Sequence, residues 1–351
     1  MKGIRRLGLL SVLLANISGC LHPIKVITED RISFGNHISA ELVPTSNDRP
    51  VVAMPVEGGP AACCGPHVAI IDVDGLLVNT NLTGPYSSGD NPVDLFREKL
   101  DAAAADPRAV ALVVRINSPG GSVTATDVMW NELQYFREKT HRPVVACMMD
   151  LGTGGAYYLA TASDLIVASP TTVTGGIGVV LNLFNLEDTI NILNITTQSI
   201  KAGQKIDVGT VTRALKPDEE VLLQGLADEF HQRFRDIVRR QRPNLLAAET
   251  ETFDGRIFSA SQARQRGLID EVGYLRDAIA AARGLAGQPS AGAVLLHRTN
   301  DPARTAFATT PNVPLQASLF PVSFPGMDRS KLPTFLYMWL PDPALERLTG
   351  K

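Results

Sequence analysis

Residues 109–122 read AVALVVRINSPGGS, and this stretch indicates the fold more directly than any other. An apolar run, residues 109–117, ends in Ser-Pro-Gly-Gly, and a helical pattern begins at about residue 124. A continuous apolar run that ends in turn residues is typical of a strand buried on both faces of a sheet. Gly120 and Gly121 have no Cβ, so a bound group can approach their N–H groups closely. Amides beside a helix N-terminus suit a developing oxyanion.

Other apolar runs alternate with helical patterns on both sides of this stretch. Strands are predicted at residues 67–75, 142–150 and 164–169, and helices at residues 92–105, 124–139 and 155–162. Strands separated by helices of this length predict βαβ units, so the fold class is α/β with a mostly parallel sheet. A long amphipathic helix at 218–240 and two short helices within 256–283 predict a helical C-terminal part.

The composition excludes several classes of protein. The 351 residues carry a net charge of −3 and contain no basic block, which argues against nucleic-acid binding. Four cysteines are too few for a disulfide scaffold, and neither CxxC nor HExxH occurs. No metal site and no cofactor are therefore predicted.

The N-terminal segment, residues 1–20, reads MKGIRRLGLLSVLLANISGC. Its positive start is followed by an apolar run, residues 7–17, that is too short to span a bilayer. The segment resembles the signal of bacterial lipoproteins. This resemblance implies that residues 1–19 are removed and that Cys20 carries a lipid, which makes an extracytoplasmic, membrane-anchored lipoprotein. The alternative is an ordinary secretory signal with an incidental cysteine.

The remaining chain divides into three predicted parts. Residues 20–66 contain Pro and Gly breakers and are predicted as a linker or N-terminal extension. Residues 67–286 form the main domain, and residues 287–351 form a C-terminal extension. The extension includes one strand-like stretch at 291–298 and an apolar segment, FLYMWLPDP, at 335–343. That apolar segment is predicted either to dock on a second copy or to pack on its own domain.

Three further glycine-rich turns carry candidate chemistry. Residues 150–160, DLGTGGAYYLA, place a tight turn between a strand and a short helix, where a nucleophile would be exposed and its anion favoured. Residues 174–179, TGGIGV, form another glycine-lined turn. Residues 200–207, IKAGQKID, place two lysines beside a glycine, and a desolvated lysine can act as a general base.

The order and spacing of these motifs, over about 215 residues, resemble the signal peptide peptidase A family of serine proteases. RINSPGGSVTA at 115–125 and DGRIFSASQARQRGLIDEVG at 254–273 carry the resemblance. It implies the ββα spiral of the Clp-protease/crotonase fold, a homo-oligomeric ring and a Ser–Lys dyad that degrades signal peptides. It also implies that Gly120, Gly121 and Gly155 bind substrate and stabilise the oxyanion, while Ser122 caps the following helix.

The sequence departs from this family at both dyad positions. An ungapped alignment places Gly154 where the family has its serine, and Ile206 where it has its lysine. Glycine has no side chain that could attack a carbonyl. A shift of one residue at each site would bring in Thr153 as nucleophile and Lys205 as base. That shift requires compensating backbone changes at two separate places, because one residue rotates a helical side chain by about 100°.

These observations predict a lipid-anchored protein that binds extended peptides or signal-peptide remnants and cleaves them poorly or not at all. One alternative is an active peptidase with a displaced Thr153/Lys205 dyad. A second alternative is an enzyme that processes acyl-CoA, because crotonases share the fold and the paired-amide oxyanion site.

Overall fold

The computed structural model describes residues 49–58, 64–81, 90–245, 249–299, 301, 303, 305–308 and 335–339. The predicted signal segment, residues 1–19, and the lipidation site Cys20 lie outside these residues. Within the described ranges, no helix is both long enough and apolar enough to cross a bilayer.

Strands and helices alternate along the described chain. The strands are β1 (Val51–Glu57), β2 (His67–Leu77), β3 (Ala109–Ser122), β4 (Val144–Thr153), β5 (Leu165–Ala168), β6 (Val173–Gly175), β7 (Ile257–Ser259), β8 (Glu271–Val272), β9 (Gly292–Arg298) and β10 (Leu336–Met338). The helices are α1 (Pro92–Ala105), α2 (Val123–Thr140), α3 (Gly155–Ala160), α4 (Glu187–Ile192), α5 (Pro217–Gln241), α6 (Glu249–Thr252), α7 (Ala260–Arg266) and α8 (Leu275–Leu285).

The described strands join in one sheet, in the order β1-β9-β2-β3-β4-β5-β8. The neighbours from β9 to β8 are parallel, whereas β1 pairs antiparallel with β9 at the edge. Off this path, β6 pairs parallel with β4, and β10 pairs antiparallel with the end of β3. The predicted α/β class with a mostly parallel sheet is confirmed.

Apolar side chains cover both faces of the sheet. Along β2, Ala69 and Ile71 belong to one buried cluster, and Val68 and Ile70 belong to the other. This division follows from the two-residue period of a strand, which sends successive side chains to opposite faces. Helix α8 packs on the second face, while α1, α2, α3 and α5 contribute to the first. Each fully buried Val, Leu or Ile contributes about 1.5–3 kcal/mol.

Residues 20–66 were predicted as a linker or N-terminal extension, but strand β1, Val51–Glu57, lies within this range. Its residues are half-buried except for Ala53, which is exposed, and they pair with β9, for example Met54 with Leu295. Pro55 does not break this strand, because β1 is an edge strand and needs backbone partners on one side only. The sheet therefore includes β1 and β9, which flank the predicted 67–286 domain, while the domain boundaries themselves stay predictions.

The carboxyl ends of β3 and β4 lie side by side and lead directly into helices. The Ser122 side chain accepts a hydrogen bond from the Ala125 N–H at the start of α2, as the sequence predicts for a capping residue. In open α/β sheets, ligands bind beyond the carboxyl ends of the strands. A functional site is therefore expected at this edge of the sheet.

Candidate active site

The turn at the end of β3 is held by its own polar side chains. The Gly120 N–H donates to Ser118 Oγ at 3.0 Å, and the Leu151 N–H donates to Asn117 Oδ1 at 3.1 Å, which ties β4 to β3. Gly120 has a φ of +107°, a region that favours glycine. A Cβ on Gly121 would lie 2.6 Å from the Leu77 backbone nitrogen. Glycine is therefore required at both positions by backbone geometry.

The second turn joins β4 to α3 through Gly154. Its φ of 53° and ψ of −121° lie outside the regions that L-residues ordinarily adopt, and its N–H donates to Gly175 O at 2.8 Å. A sharp, strained strand-to-helix turn is the kind of backbone that exposes a nucleophile in hydrolases. The turn is present in this protein, but Gly154, the residue that would present a nucleophile, has no side chain.

Thr153 precedes this apex and lies in the interior. Its side chain is fully buried, and its hydroxyl donates to Pro119 O at 3.2 Å. A carbonyl oxygen can only accept, so this contact holds the hydroxyl proton and gives no route for removing it. The Thr153 hydroxyl thus acts as a hydrogen-bond donor that joins the end of β4 to the β3 turn.

Lys205 lies in a different environment, on the chain between α4 and α5. Its ammonium forms an ion pair with Asp218, and its side chain is 40% exposed. The pair holds the pKa of the Asp218 carboxyl below its usual range. Ile206 is also exposed, at 74%. Among the described side chains no hydrogen bond joins Thr153 to Lys205, so their role as a displaced dyad stays a prediction.

The three predicted substrate-binding glycines are brought into one region. A Cβ on Gly120 would lie 2.7 Å from the Gly155 backbone nitrogen, and a Cβ on Gly155 would lie 3.3 Å from the Gly121 nitrogen. The backbones of the two turns are therefore in close contact. Their role as oxyanion donors stays a prediction.

A short segment near the end of the chain lies directly against this region. In β10, Leu336, Tyr337 and Met338 pair antiparallel with Ser122, Gly121 and Gly120. Residue 336 also exchanges two hydrogen bonds, of 2.9 and 3.0 Å, with Val180 on the other side. The sequence suggested either a second copy or the chain's own domain as the partner of this segment, and the structure places it on its own domain.

One carboxyl group beside the β3 turn has an unusual pKa. Asp74 on β2 lies opposite Asn117 in the parallel register. Burial raises its pKa from 3.8 to about 6, and the neighbouring charge of Asp72 acts in the same direction. Below about pH 6 this carboxyl is protonated in the folded protein.

We expect the wild-type protein to lose stability relative to Asp74→Asn as the pH rises from 4 to 7. The folded state binds the Asp74 proton more tightly than the unfolded state, so this stabilisation is complete below about pH 4 and is lost as the pH rises through about 6. A shift of this size corresponds to roughly 2–3 kcal/mol. Urea unfolding at several pH values measures it, with exposed Asp101→Asn as control. Parallel pH profiles for the wild type and Asp74→Asn would contradict this assignment.

Sequence reasoning missed the residues that surround β10. Val180 is an isolated bridge residue, and Phe230 and Phe234 lie on α5, which the pattern identified only as an amphipathic helix. His231, on the same helix, donates from its ring to Ile177 O at 3.1 Å, and burial lowers its pKa. The apolar character of residues 335–343 was the one available signal.

The mostly parallel sheet and its paired glycine turns agree with the predicted Clp-protease/crotonase-like fold. The family model for peptidase family S49 matches residues 137–288. The chain is 34% identical over 212 residues to "Putative protease slr0021" of Synechocystis sp., covering 60% of this chain and 74% of that protein. The chain therefore belongs to peptidase family S49.

Other relatives are much longer than this chain. Arabidopsis thaliana "Serine protease SPPA, chloroplastic" is 34% identical over 226 residues, which is 64% of this chain and 33% of that protein. Salmonella typhi "Protease 4" is 30% identical over 222 residues, 63% of this chain and 35% of its own length. The chain thus spans about a third of the length of these two relatives.

Proposed function

We propose that this S49-family protein binds extended peptides, among them signal-peptide remnants, and hydrolyses them poorly or not at all. The observation that carries the proposal is the backbone of Gly154. The strained turn that would present a nucleophile is intact, yet its apex residue has no side chain. Family membership favours a peptide ligand over an acyl-CoA thioester.

The surroundings of Thr153 and Lys205, the two residues of the predicted displaced dyad, support the loss of catalysis. A nucleophilic hydroxyl needs a base atom within about 2.6–3.2 Å of its oxygen. The Thr153 hydroxyl instead donates to a backbone carbonyl in the interior. The Lys205 ammonium instead forms an ion pair with the Asp218 carboxylate.

The pairing of β10 supports the ability to bind peptides. The end of β3 and residue 180 both offer backbone donors and acceptors to an extended segment lying between them. Adding a strand to the backbone of a sheet edge is a general way of binding peptides, because main-chain hydrogen bonds supply affinity without requiring one sequence.

We expect the purified protein to show no turnover of a fluorogenic signal-peptide library above the buffer rate. The Thr153→Ala and Lys205→Ala variants should match the wild type, because neither side chain takes part in a reaction. Lys201→Ala is the matched control, since Lys201 is a neighbouring lysine also held by a carboxylate, Asp207. Robust wild-type turnover that is lost in Thr153→Ala or Lys205→Ala, and kept in Lys201→Ala, would establish the active peptidase instead.

The proposal includes a lipid anchor on Cys20 and an extracytoplasmic location on a membrane face. We expect mass spectrometry of the protein from a bacterial membrane fraction to find acylated Cys20 at the N-terminus. In Cys20→Ser the lipid should be absent and the protein should leave the membrane fraction, because the acyl chains carried by Cys20 supply the membrane affinity. Cys64→Ser is the control, and equal membrane retention of all three proteins would contradict the anchor.

The proposal also includes assembly of the protein into a homo-oligomeric ring. None of the residues of α4 is buried. Large apolar side chains are exposed on α4, on the chain before and after it and at the start of α5: Phe184, Ile192, Leu193, Ile195, Ile200, Val221 and Leu222. Exposed apolar side chains in this number are typical of a protein–protein contact. Light scattering on the unlipidated protein distinguishes a ring from a monomer.

A further inference from the structure

A chain of hydrogen bonds crosses the sheet just before the turn at Gly154. Asp74 on β2 lies opposite Asn117 on β3, and the Asn117 side chain hydrogen-bonds the Asp74 carboxyl. On its other side, Asn117 Oδ1 accepts from the Leu151 N–H of β4 at 3.1 Å. A single amide side chain therefore joins β2 to β4.

The pairing of β3 with β4 is irregular at this point. Ile116 pairs with Met148 and Ser118 pairs with Gly152, so β4 advances four residues while β3 advances two. The two extra residues of β4 form a bulge opposite Asn117. Because a bulge interrupts the ladder and leaves backbone groups unpaired, the Asn117 oxygen supplies an acceptor that the backbone of β3 does not.

The bulge is also where β4 changes its outer neighbour. Before the bulge β4 pairs with β5, and after it residues 151–153 pair with β6. These three residues lead into the turn, where the Gly154 N–H donates to Gly175 O at 2.8 Å. The bulge therefore sets where the strained turn at Gly154 stands relative to the end of β3.

The two hydrogen bonds of Asn117 fix the direction of its amide. Its oxygen accepts from a backbone N–H, so its nitrogen is the group that donates to Asp74. A hydrogen bond to an ionised carboxylate is stronger than one to a neutral carboxyl. It also polarises the amide, which makes the amide oxygen a better acceptor for the Leu151 N–H. The charge on Asp74 therefore strengthens the tie to β4.

Protonation of Asp74 weakens this tie in two ways. The carboxyl loses its charge, so the bond from the Asn117 nitrogen becomes weaker. The carboxyl also gains an O–H donor, which competes with the Leu151 N–H for the Asn117 oxygen. Because burial raises the pKa of Asp74 to about 6, both changes occur in mildly acidic solution.

The charged groups that act on Asp74 belong to β2, β3 and α1. Burial is the main cause of its raised pKa, and Asp72 on β2 acts in the same direction. Arg115 on β3 and Lys99 on α1 oppose the rise, but both are already paired with Asp72, at 3.5 and 2.6 Å. Helix α2 contributes the apolar side chain of Met129 to the cavity that Asp74 lines.

We propose that Asp74 and Asn117 are positioning residues of the peptide site, in which the Asp74 carboxylate acts through the Asn117 amide to hold the bulge of β4 and the turn at Gly154 in place for an extended peptide. This inference rests on the proposed peptide binding. In mildly acidic solution Asp74 takes up a proton, the tie to Leu151 weakens and the site loses affinity. The protein therefore binds peptides more tightly at neutral than at acidic pH.

Nuclear magnetic resonance tests the positioning without any added peptide. In the wild type, the chemical shift of the Leu151 amide should change with pH at the same midpoint as the Asp74 carboxyl carbon, because one proton governs both. In Asp74→Asn this transition of Leu151 should be lost. The control is the Ile166 N–H on β5, which is bonded to the Asp270 carboxylate at 2.8 Å and should not follow Asp74. Different midpoints for Leu151 and Asp74 would overturn the coupling.

Removing the Asn117 amide gives an independent measurement. Asn117→Ala should raise the pKa of Asp74 by a further 0.5–1 or about that, because the bond from the amide favours the ionised carboxyl. Asn131→Ala, at an exposed position of α2, is the control and should leave this pKa unchanged. An Asp74 pKa that is the same in Asn117→Ala and in the wild type would refute the proposal. Should Asn117→Ala not fold, the wild-type midpoints decide.

Fluorescence anisotropy tests the effect on binding with a labelled, end-capped peptide that copies residues 7–17, LGLLSVLLANI, and has no titratable side chain. The wild type should bind it at least about 3-fold more tightly at about pH 7.5 than at about pH 5. For Asp74→Asn the two affinities should differ by less than about 2-fold, because its side chain does not ionise. Asp101→Asn, at an exposed position of α1, is the control and should behave as the wild type.

The outcomes distinguish this inference from the proposed function. If the peptide binds and its affinity depends on pH equally in the wild type and in Asp74→Asn, the positioning role is refuted while peptide binding stands. If the peptide binds to neither protein at either pH, the proposed function fails, and the effect on a peptide site fails with it. The midpoints of Leu151 and Asp74 then still show whether the carboxyl governs the tie to β4.

Discussion

Replacing Gly120 with alanine is expected to lower the free energy of unfolding by about 2–6 kcal/mol, as measured by urea denaturation. A residue with a side chain is strained at the φ of +107° found here. The new Cβ would also overlap the Tyr337 carbonyl oxygen and lie 2.7 Å from the Gly155 nitrogen. Both are backbone atoms, so the overlap can be relieved only by moving β10 and the start of α3.

Gly203→Ala provides the control for this prediction. Gly203 has a similar φ of +96°, but a Cβ there would have no neighbour within 4 Å. The substitution therefore carries the backbone strain without the collision and should cost only about 1–3 kcal/mol. If the two variants lose the same stability, the close contact between β10 and the β3 turn does not exist in solution.

Lys99→Met is expected to destabilise the protein by about 3–5 kcal/mol. Lys99 Nζ on α1 lies 2.6 Å from Asp72 Oδ1 on β2, and both side chains are 1% exposed. Removing the ammonium leaves the Asp72 carboxylate in the interior with the Arg115 guanidinium, 3.5 Å away, as an ion-pair partner. Burial of a poorly compensated charge is among the costliest changes in a protein.

Two comparisons isolate the ion pair in the Lys99 experiment. Lys139→Met removes an exposed lysine from the last turn of α2 and should cost less than about 0.5 kcal/mol. The double variant Lys99→Met/Asp72→Asn should recover part of the lost stability, since it also removes the carboxylate charge. If Lys99→Met costs no more than Lys139→Met, the ion pair contributes nothing to stability.

The sheet and most of its helices could be predicted because their signals are local. The apolar run at 109–117 lies within β3, and the predicted helix at 218–240 agrees within one residue at each end with α5, Pro217–Gln241. Long buried strands and long helices carry their pattern in consecutive residues. The capping role of Ser122 follows from a similarly local rule.

The two elements that the patterns did not define depend on partners distant in the sequence. Strand β1 contains Pro55 and precedes a run of glycine and proline, so its local signal is that of a linker, and its pairing with β9 involves residues more than 200 positions away. The partner of β10 was left open for the same reason, because an apolar segment of nine residues does not specify which surface it covers.

The candidate site was predicted in its backbone and not in its side-chain contacts. Glycine spacing located the turns at Gly120 and Gly154, because only glycine fits such conformations. The hydrogen bond from Thr153 to Pro119 O and the ion pair of Lys205 depend on rotamers and on the path of the chain after β6. Spacing along the sequence carries no information about either.

The attachment of β10 to its own chain has a consequence for concentration. The pairing of β10 with the end of β3 lies within one molecule, so its formation is a unimolecular equilibrium and the paired fraction stays constant on dilution. A strand donated by another molecule would dissociate as the solution is diluted. If peptides bind at this edge as proposed, a free peptide must therefore outcompete an occupant that is present at one copy per site, however scarce the protein is.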